Sequence, residues 1–131
     1  MNSYQLDTNA ILRFLTQDRP KEAKEVELLF KRAQKNQITI EISEPVFIET
    51  AVMLRNYFKF PKEKVVIMLE TILSLEWIKI ENLQFVSQAI SLYSITSLDL
   101  IDCLVLARAR SKNQSIFTFD QTLSSLASEN N

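Results

Sequence analysis

The sequence predicts an α/β domain of three layers, with a short central parallel sheet of about four strands flanked by helices. Three observations lead there. Four short runs read as strands, residues 2–7, 38–42, 77–80 and 115–119. Each is separated from the next by one or two stretches with helical spacing, and strands joined through helices pair in parallel. The length, 131 residues, suits a single core, so residues 1–131 are read as one domain.

The elements follow in order. In residues 2–7, Tyr4 and Leu6 alternate with Ser3 and Gln5, and Asp7 ends the run. Residues 9–16 read as a short helix. Asp18-Arg19-Pro20 opens the next, with Pro20 in the first turn. Its apolar positions, Ala23, Val26, Leu29, Phe30 and Ala33, share one face, and Lys21, Glu22, Lys24, Glu25 and Lys31 make a solvated one. Ile38-Thr39-Ile40-Glu41-Ile42 alternates as a strand. Ser43 caps a helix through about Phe58, and Pro61 starts another through about Ser74. Trp77–Ile80 is the third strand, and Asn82 caps a helix to about Tyr93. Ser97 or Asp99 caps the next, through about Lys112. Ser115–Phe119 is the last strand, before a short helix from Asp120 to about Ala127.

Composition excludes several chemistries. The chain has no histidine, which removes Ser-His-Asp, Cys-His and His-metal sites. It has no glycine, which removes Gly-rich phosphate loops and the nucleophile elbow of α/β-hydrolases. Catalysis is left to carboxylates, hydroxyls, amides, Lys or Arg. Without glycine, helices must stop on other residues, and Lys35-Asn36-Gln37 and Lys112-Asn113-Gln114 read as such stops. The one cysteine, Cys103, reads as a small core residue. No apolar run nears the roughly 20 residues of a membrane span. Met1-Asn2-Ser3-Tyr4-Gln5 lacks the features of a signal peptide, so a cytoplasmic protein is expected. The net charge of −1 gives no overall basic footprint for nucleic acid.

Four carboxylates stand in apolar surroundings: Asp7, Glu49, Asp102 and Asp120. A buried carboxylate is costly unless paired, and several together repel unless a hard cation such as Mg²⁺ or Mn²⁺ sits among them. Asp7 and Asp120 stand at strand ends, where α/β sites gather, yet Asp there is also a good helix N-cap. Asp99 and Asp102, three apart, fit a cap and its third-position partner. Glu49 lies beyond capping range, and its neighbours at helical spacing, Pro45, Val46, Val52 and Met53, are non-polar. It reads either as a narrow solvent stripe or as a semi-buried acid facing a cleft. Thr8, Asn9 and Thr118 adjoin the strand-end acids, and fit turns and caps or groups that hold a carboxylate in place.

The order and spacing of these segments resemble the PIN-domain ribonucleases, and among them the VapC-type toxins of toxin–antitoxin pairs. Leu6-Asp7-Thr8-Asn9 resembles that family's first motif and Ser43-Glu44-Pro45-Val46-Phe47-Ile48-Glu49 its second. Asp99-Leu100-Ile101-Asp102-Cys103-Leu104 resembles the third, and Ile116-Phe117-Thr118-Phe119-Asp120 the fourth. By that resemblance Asp7, Glu49, Asp102 and Asp120 are the catalytic, metal-binding acids, and Asp99 is a further acid at the mouth of the site. Two departures are visible: Lys112-Asn113-Gln114 stands where members often carry a glycine, and little chain follows Leu126 where members often have another strand.

The resemblance implies a Mg²⁺- or Mn²⁺-dependent endoribonuclease, a homodimer, and a small antitoxin as partner. RNA contacts are expected from Arg13, Arg108, Arg110 and Lys112, and from Lys59, Lys62 and Lys64 near Pro61. The alternative is a non-catalytic PIN-like module that binds RNA or protein. A phosphatase wanting Asp-x-Asp-x-Thr does not fit Asp7-Thr8-Asn9, and a phospho-receiver lacks its Lys after Phe119. The apolar run Val65–Leu69 reads as core, with an interface as its other use.

Overall fold

The computed structural model describes residues 2–129; the expected domain limits Met1 and Asn131, with Asn130, lie outside the described residues. Its elements run β1 (Asn2–Gln5), α1 (Thr8–Thr16), α2 (Pro20–Gln34), β2 (Ile38–Ile42), α3 (Glu44–Asn56), α4 (Lys62–Leu73), β3 (Ile78–Ile80), α5 (Leu83–Ile95), α6 (Leu100–Ser111) and α7 (Gln121–Ser128). The chain divides into two compact units, Met1–Glu81 and Asn82–Asn131.

The first unit holds a parallel sheet in the order β1-β2-β3, with Tyr4 opposite Ile40 and Ile40 opposite Ile78. Alternation sets its two faces. Ile38, Ile40, Ile42, Ile78 and Ile80 are buried, under α2 against β2 and α4 against β3. The other face carries Gln5, Thr39, Glu41 and Lys79, with Gln5 Nε2 donating to Glu41 Oε1 at 3.1 Å and Lys79 paired with Glu41 at 3.7 Å. Within this unit the second face is lined by polar side chains. Core side chains from α1, α3 and α4 complete it, among them Leu12, Phe47, Leu54, Val65 and Leu69. Most of the Val65–Leu69 run is thus core, although Ile67 is 64% exposed. Phe30 meets both Phe14 and Trp77 edge to face, at 4.8 and 4.9 Å between ring centres.

The second unit is helical. α5 packs along α6, and α7 against α6. Cys103, on α6, is fully buried, as a small core residue would be. The fourth strand expected at Ser115–Phe119 does not form: among the described residues the sheet has three strands. The segment alternates as a strand does, with Ile116 and Thr118 half-buried and Phe117 and Phe119 at 90% and 92% exposure. It pairs with no described strand, so it has the pattern of a strand without a ladder.

The lack of glycine is met largely as expected. Five residues take the left-handed region: Gln17, Asn36, Lys59, Asn82 and Asn113, with φ between 53° and 60°. Three are Asn, the non-glycine residue best suited there. Asn36 and Asn113 end α2 and α6, and the residue after each closes the turn, Gln37 N–H to Arg32 O at 2.9 Å and Gln114 N–H to Ala109 O at 2.8 Å. Asn82 precedes α5 without capping it through its side chain. Ser43 likewise makes no side-chain cap on α3; Glu81 Oε1 accepts from Glu44 N–H at 3.0 Å instead.

Candidate active site

In the second unit the acids come from two helix starts. Asp99 is the N-cap of α6, and its Oδ1 accepts from the backbone N–H of Asp102 at 2.8 Å. Asp102 is therefore the third residue of the helix and is fixed close to Asp99. It is half-buried, followed by the buried Cys103 and Leu104. Asp120 caps α7, its Oδ1 accepting from Leu123 N–H at 2.8 Å. Its own N–H donates to Thr118 Oγ1 at 3.0 Å, which makes Thr118 the residue that sets the turn before the cap.

The three carboxylates form one electrostatic cluster. Burial pushes the Asp102 carboxyl above its ordinary value, and the charges of Asp99 and Asp120 and the Asp99 hydrogen bond push it further the same way. Capping occupies Oδ1 of Asp99 and of Asp120, whereas an ionised carboxylate has about four acceptor positions. A capping role and a cation-binding role are thus compatible in one side chain.

In the first unit Asp7 is the N-cap of α1, Oδ1 accepting from Ala10 N–H at 2.8 Å. Thr8, the first residue of α1, is buried, and Asn9 is exposed. Glu49 lies in the second turn of α3 and is exposed, not semi-buried. The reason is visible in its neighbours. The core face of α3 is Phe47, Thr50, Ala51 and Leu54, while Pro45 is exposed and Val52 is 38% exposed. The outward stripe of this helix is apolar, so apolar neighbours did not signify burial.

The expected RNA-binding cations differ in what they already do. Arg13 is engaged inside the first unit, to Glu22 at 2.9 Å and Asp18 at 3.4 Å, with 14% of its side chain exposed. Arg108 lies over the Phe85 ring at 5.0 Å, and Arg110 donates to Leu126 O at 3.2 Å. Lys112 is the exposed C-cap of α6.

An all-carboxylate donor set is the hard-oxygen chemistry that suits Mg²⁺ or Mn²⁺, and a divalent cation would relieve the repulsion at Asp102. Among the described residues, no three acidic or cysteine side chains are gathered closely enough to hold an ion as they stand. The donors fit such a metal in kind and in charge. A hollow of about 310 Å³ in the second unit, lined by Leu106, Arg110, Gln114, Ile116 and Ala127 among others, includes none of the acids.

The chain belongs to the PIN-domain family, whose signature matches residues 4–129. More particularly, it is similar to the VapC ribonuclease of Aquifex aeolicus (strain VF5), with 30% identity over 105 residues, 80% of this chain and 77% of that one. No solved structure gives a significant match.

Proposed function

We propose that the chain is a divalent-metal-dependent endoribonuclease and the toxin of a toxin–antitoxin pair, acting as one PIN-like domain. The observation that carries this reading is the Asp99–Asp102–Asp120 set at two helix starts, where burial first, and then the charges of Asp99 and Asp120, hold the Asp102 carboxyl above its ordinary value. Such an arrangement costs stability and is expected where a cation is to be bound. Membership of the PIN-domain family and similarity to a VapC ribonuclease support it.

Asp7, Glu49, Asp102 and Asp120 are the proposed metal-binding acids. Mg²⁺ or Mn²⁺, when bound, supplies Lewis acidity toward a phosphodiester and a water of lowered pKa. The chain's own residues supply position. Asp99 fixes the backbone at Asp102, and Thr118 fixes that at Asp120. Thr8 and Asn9, the first two residues of α1, are the proposed auxiliary residues beside Asp7. The chain has no histidine, so a carboxylate or the metal-activated water itself would have to serve as the base. Arg108, Arg110 and Lys112, at the far end of α6 from Asp99 and Asp102, are the proposed phosphate contacts of the second unit; Arg13 serves α1 and α2 first.

A cytoplasmic location, a homodimer and a small antitoxin partner complete the reading. No described helix is long and apolar enough to cross a membrane. Ile101 and Val105, one turn apart on α6, are 53% and 42% exposed and offer apolar surface for a second protein. The decisive experiment incubates purified chain with RNA in Mn²⁺ and in EDTA. Cleavage in Mn²⁺ alone supports the nuclease. RNA binding without cleavage would favour the non-catalytic module.

A further inference from the structure

The segment between α3 and α4 is built unlike an ordinary connection. Residues 55–64, Arg-Asn-Tyr-Phe-Lys-Phe-Pro-Lys-Glu-Lys, carry four cations and one acid in a chain whose net charge is −1. Three aromatic rings are interleaved with those cations. Tyr57 is 70% exposed, and its ring stands edge to face with Phe58 at 5.1 Å. Phe58 in turn lies nearly parallel to Phe60, 5.8 Å away at 7°. Lys64 Nζ sits 4.4 Å from the centre of the Phe60 ring. Apolar residues this exposed are normally a cost, and no glycine or short polar turn has been used in their place.

The loop is also held rigidly. Tyr57 and Phe58 N–H both reach Met53 O, at 2.9 and 3.0 Å, and Phe60 N–H reaches Leu54 O at 3.1 Å. Arg55 Nη1 donates to Phe60 O at 3.2 Å and ties the turn to the end of α3. Lys59 at the tip takes a left-handed conformation, φ 59°, which an L-residue with a long side chain does not adopt without support. The result is a loop whose backbone is tied to the end of α3, with the Tyr57 ring and the Lys59 cation both exposed, two residues apart.

We propose that this loop is a contact site for single-stranded RNA, in which Tyr57 stacks on an unpaired base and Lys59 meets a neighbouring phosphate. Aromatic rings among cations are what sequence-tolerant single-strand binding requires, because every base has a face to stack. A duplex would offer no free base face, so the substrate class is a loop or unpaired stretch. A phosphate-bearing ligand also suits the local positive charge better than an acid-poor protein surface does. The inference rests on RNA being the substrate, and it adds a gripping site outside the acids.

The test measures binding of a labelled short single-stranded oligonucleotide by anisotropy, in EDTA so that cleavage plays no part. Tyr57→Ala is expected to weaken binding about tenfold, the size of one lost base stack, and Tyr57→Phe to restore it. Lys59→Asn, which keeps a residue suited to the left-handed turn, is expected to reduce the salt-dependence slope by about 0.7. Thermal melts followed by Trp77, the only tryptophan, check that each variant is folded. If both variants bind as the wild type does while the wild type cleaves RNA, the loop proposal is overturned and the nuclease stands. If the wild type neither binds nor cleaves, the RNA reading itself fails, and this inference with it.

Discussion

In α3 and in α6 a carboxylate interrupts an apolar stretch: Ile48-Glu49-Thr50 in one helix, Ile101-Asp102-Cys103 in the other. The two sequences look alike, and the two residues are placed differently. Glu49 projects from an outward stripe that happens to be apolar. Asp102 is half-buried, three residues from one acid and electrostatically coupled to another. The difference shows that apolar flanks alone do not bury an acid. At Asp102 burial is the first cause of the raised carboxyl, and the charges of Asp99 and Asp120 add to it. The proposed function needs both residues for cleavage, one on an exposed stripe and one half-buried beside two other acids.

The largest expected effect tests the shared role. Asp102→Asn and Asp7→Asn should each lower cleavage by on the order of a thousandfold, as loss of one group that stabilises developing charge does. Glu49→Gln should lower it comparably with no measurable change in melting temperature, since an exposed surface substitution is within about 0.5 kcal/mol of neutral. RNA cleavage followed on a gel, beside a thermal melt, decides both. Full activity of Glu49→Gln would leave Glu49 as a solvent stripe and end the comparison.

Metal should separate the two residues next. At saturating Mn²⁺ the wild type is expected to melt about 5 °C or more higher, because a ligand bound only to the native state stabilises it by mass action. Asp102→Asn should lose most of that shift. A wild type whose melting temperature ignores Mn²⁺ would argue against a cation at the cluster.

The pH dependence of the metal-free protein follows from the sign at Asp102. Its native pKa lies above the unfolded one, so the native state holds the proton more tightly. The native state is therefore penalised as pH rises through that interval, and fully so above the native pKa. Asp102→Asn removes the penalty. The variant should be more stable than wild type at pH 7, with the gap closing below about pH 3, under the ordinary Asp value. Urea midpoints at the two pH values measure it. An equal gap at both would mean that Asp102 is not stressed by its neighbours.

Much of the architecture was legible because the chain has few ways to say it. With glycine absent, Asn36 and Asn113 were the available left-handed stops, and both helices end there. Pro20 and the Asp caps fixed helix starts by local chemistry that no tertiary contact needed to override. Pairing was not legible. Ile116–Phe119 has the alternation of a strand, but alternation describes one segment, whereas a ladder needs a partner. The same limit applies to Glu49: periodicity names which residues share a face and leaves open whether that face is inward. The caps at Asp7, Asp99 and Asp120 were legible as caps, and the coupling of Asp102 to Asp120 was not, since it depends on where α7 begins in space. The aromatic–cationic run 55–64 was open to view in the sequence, but its ordering by Met53, Leu54 and Arg55 was not.

The smallest effect is the sharpest test of what a shared cap means. Asp7 and Asp99 make the same hydrogen bond, Oδ1 to a backbone N–H at 2.8 Å three residues on. Replacing an N-cap Asp by Ala costs about 1 kcal/mol. At Asp7 the whole cost should appear. At Asp99 the same substitution also removes a negative charge and a hydrogen bond that push Asp102 upward, so part of the loss is returned. Asp99→Ala is therefore expected to destabilise the metal-free protein less than Asp7→Ala at pH 7. At about pH 3, with Asp102 largely protonated in both states, nothing remains to be relieved and the two variants should draw together. Equal losses at both pH values would mean that Asp99 serves α6 as a cap and nothing more, and its role as an auxiliary acid would have to be abandoned.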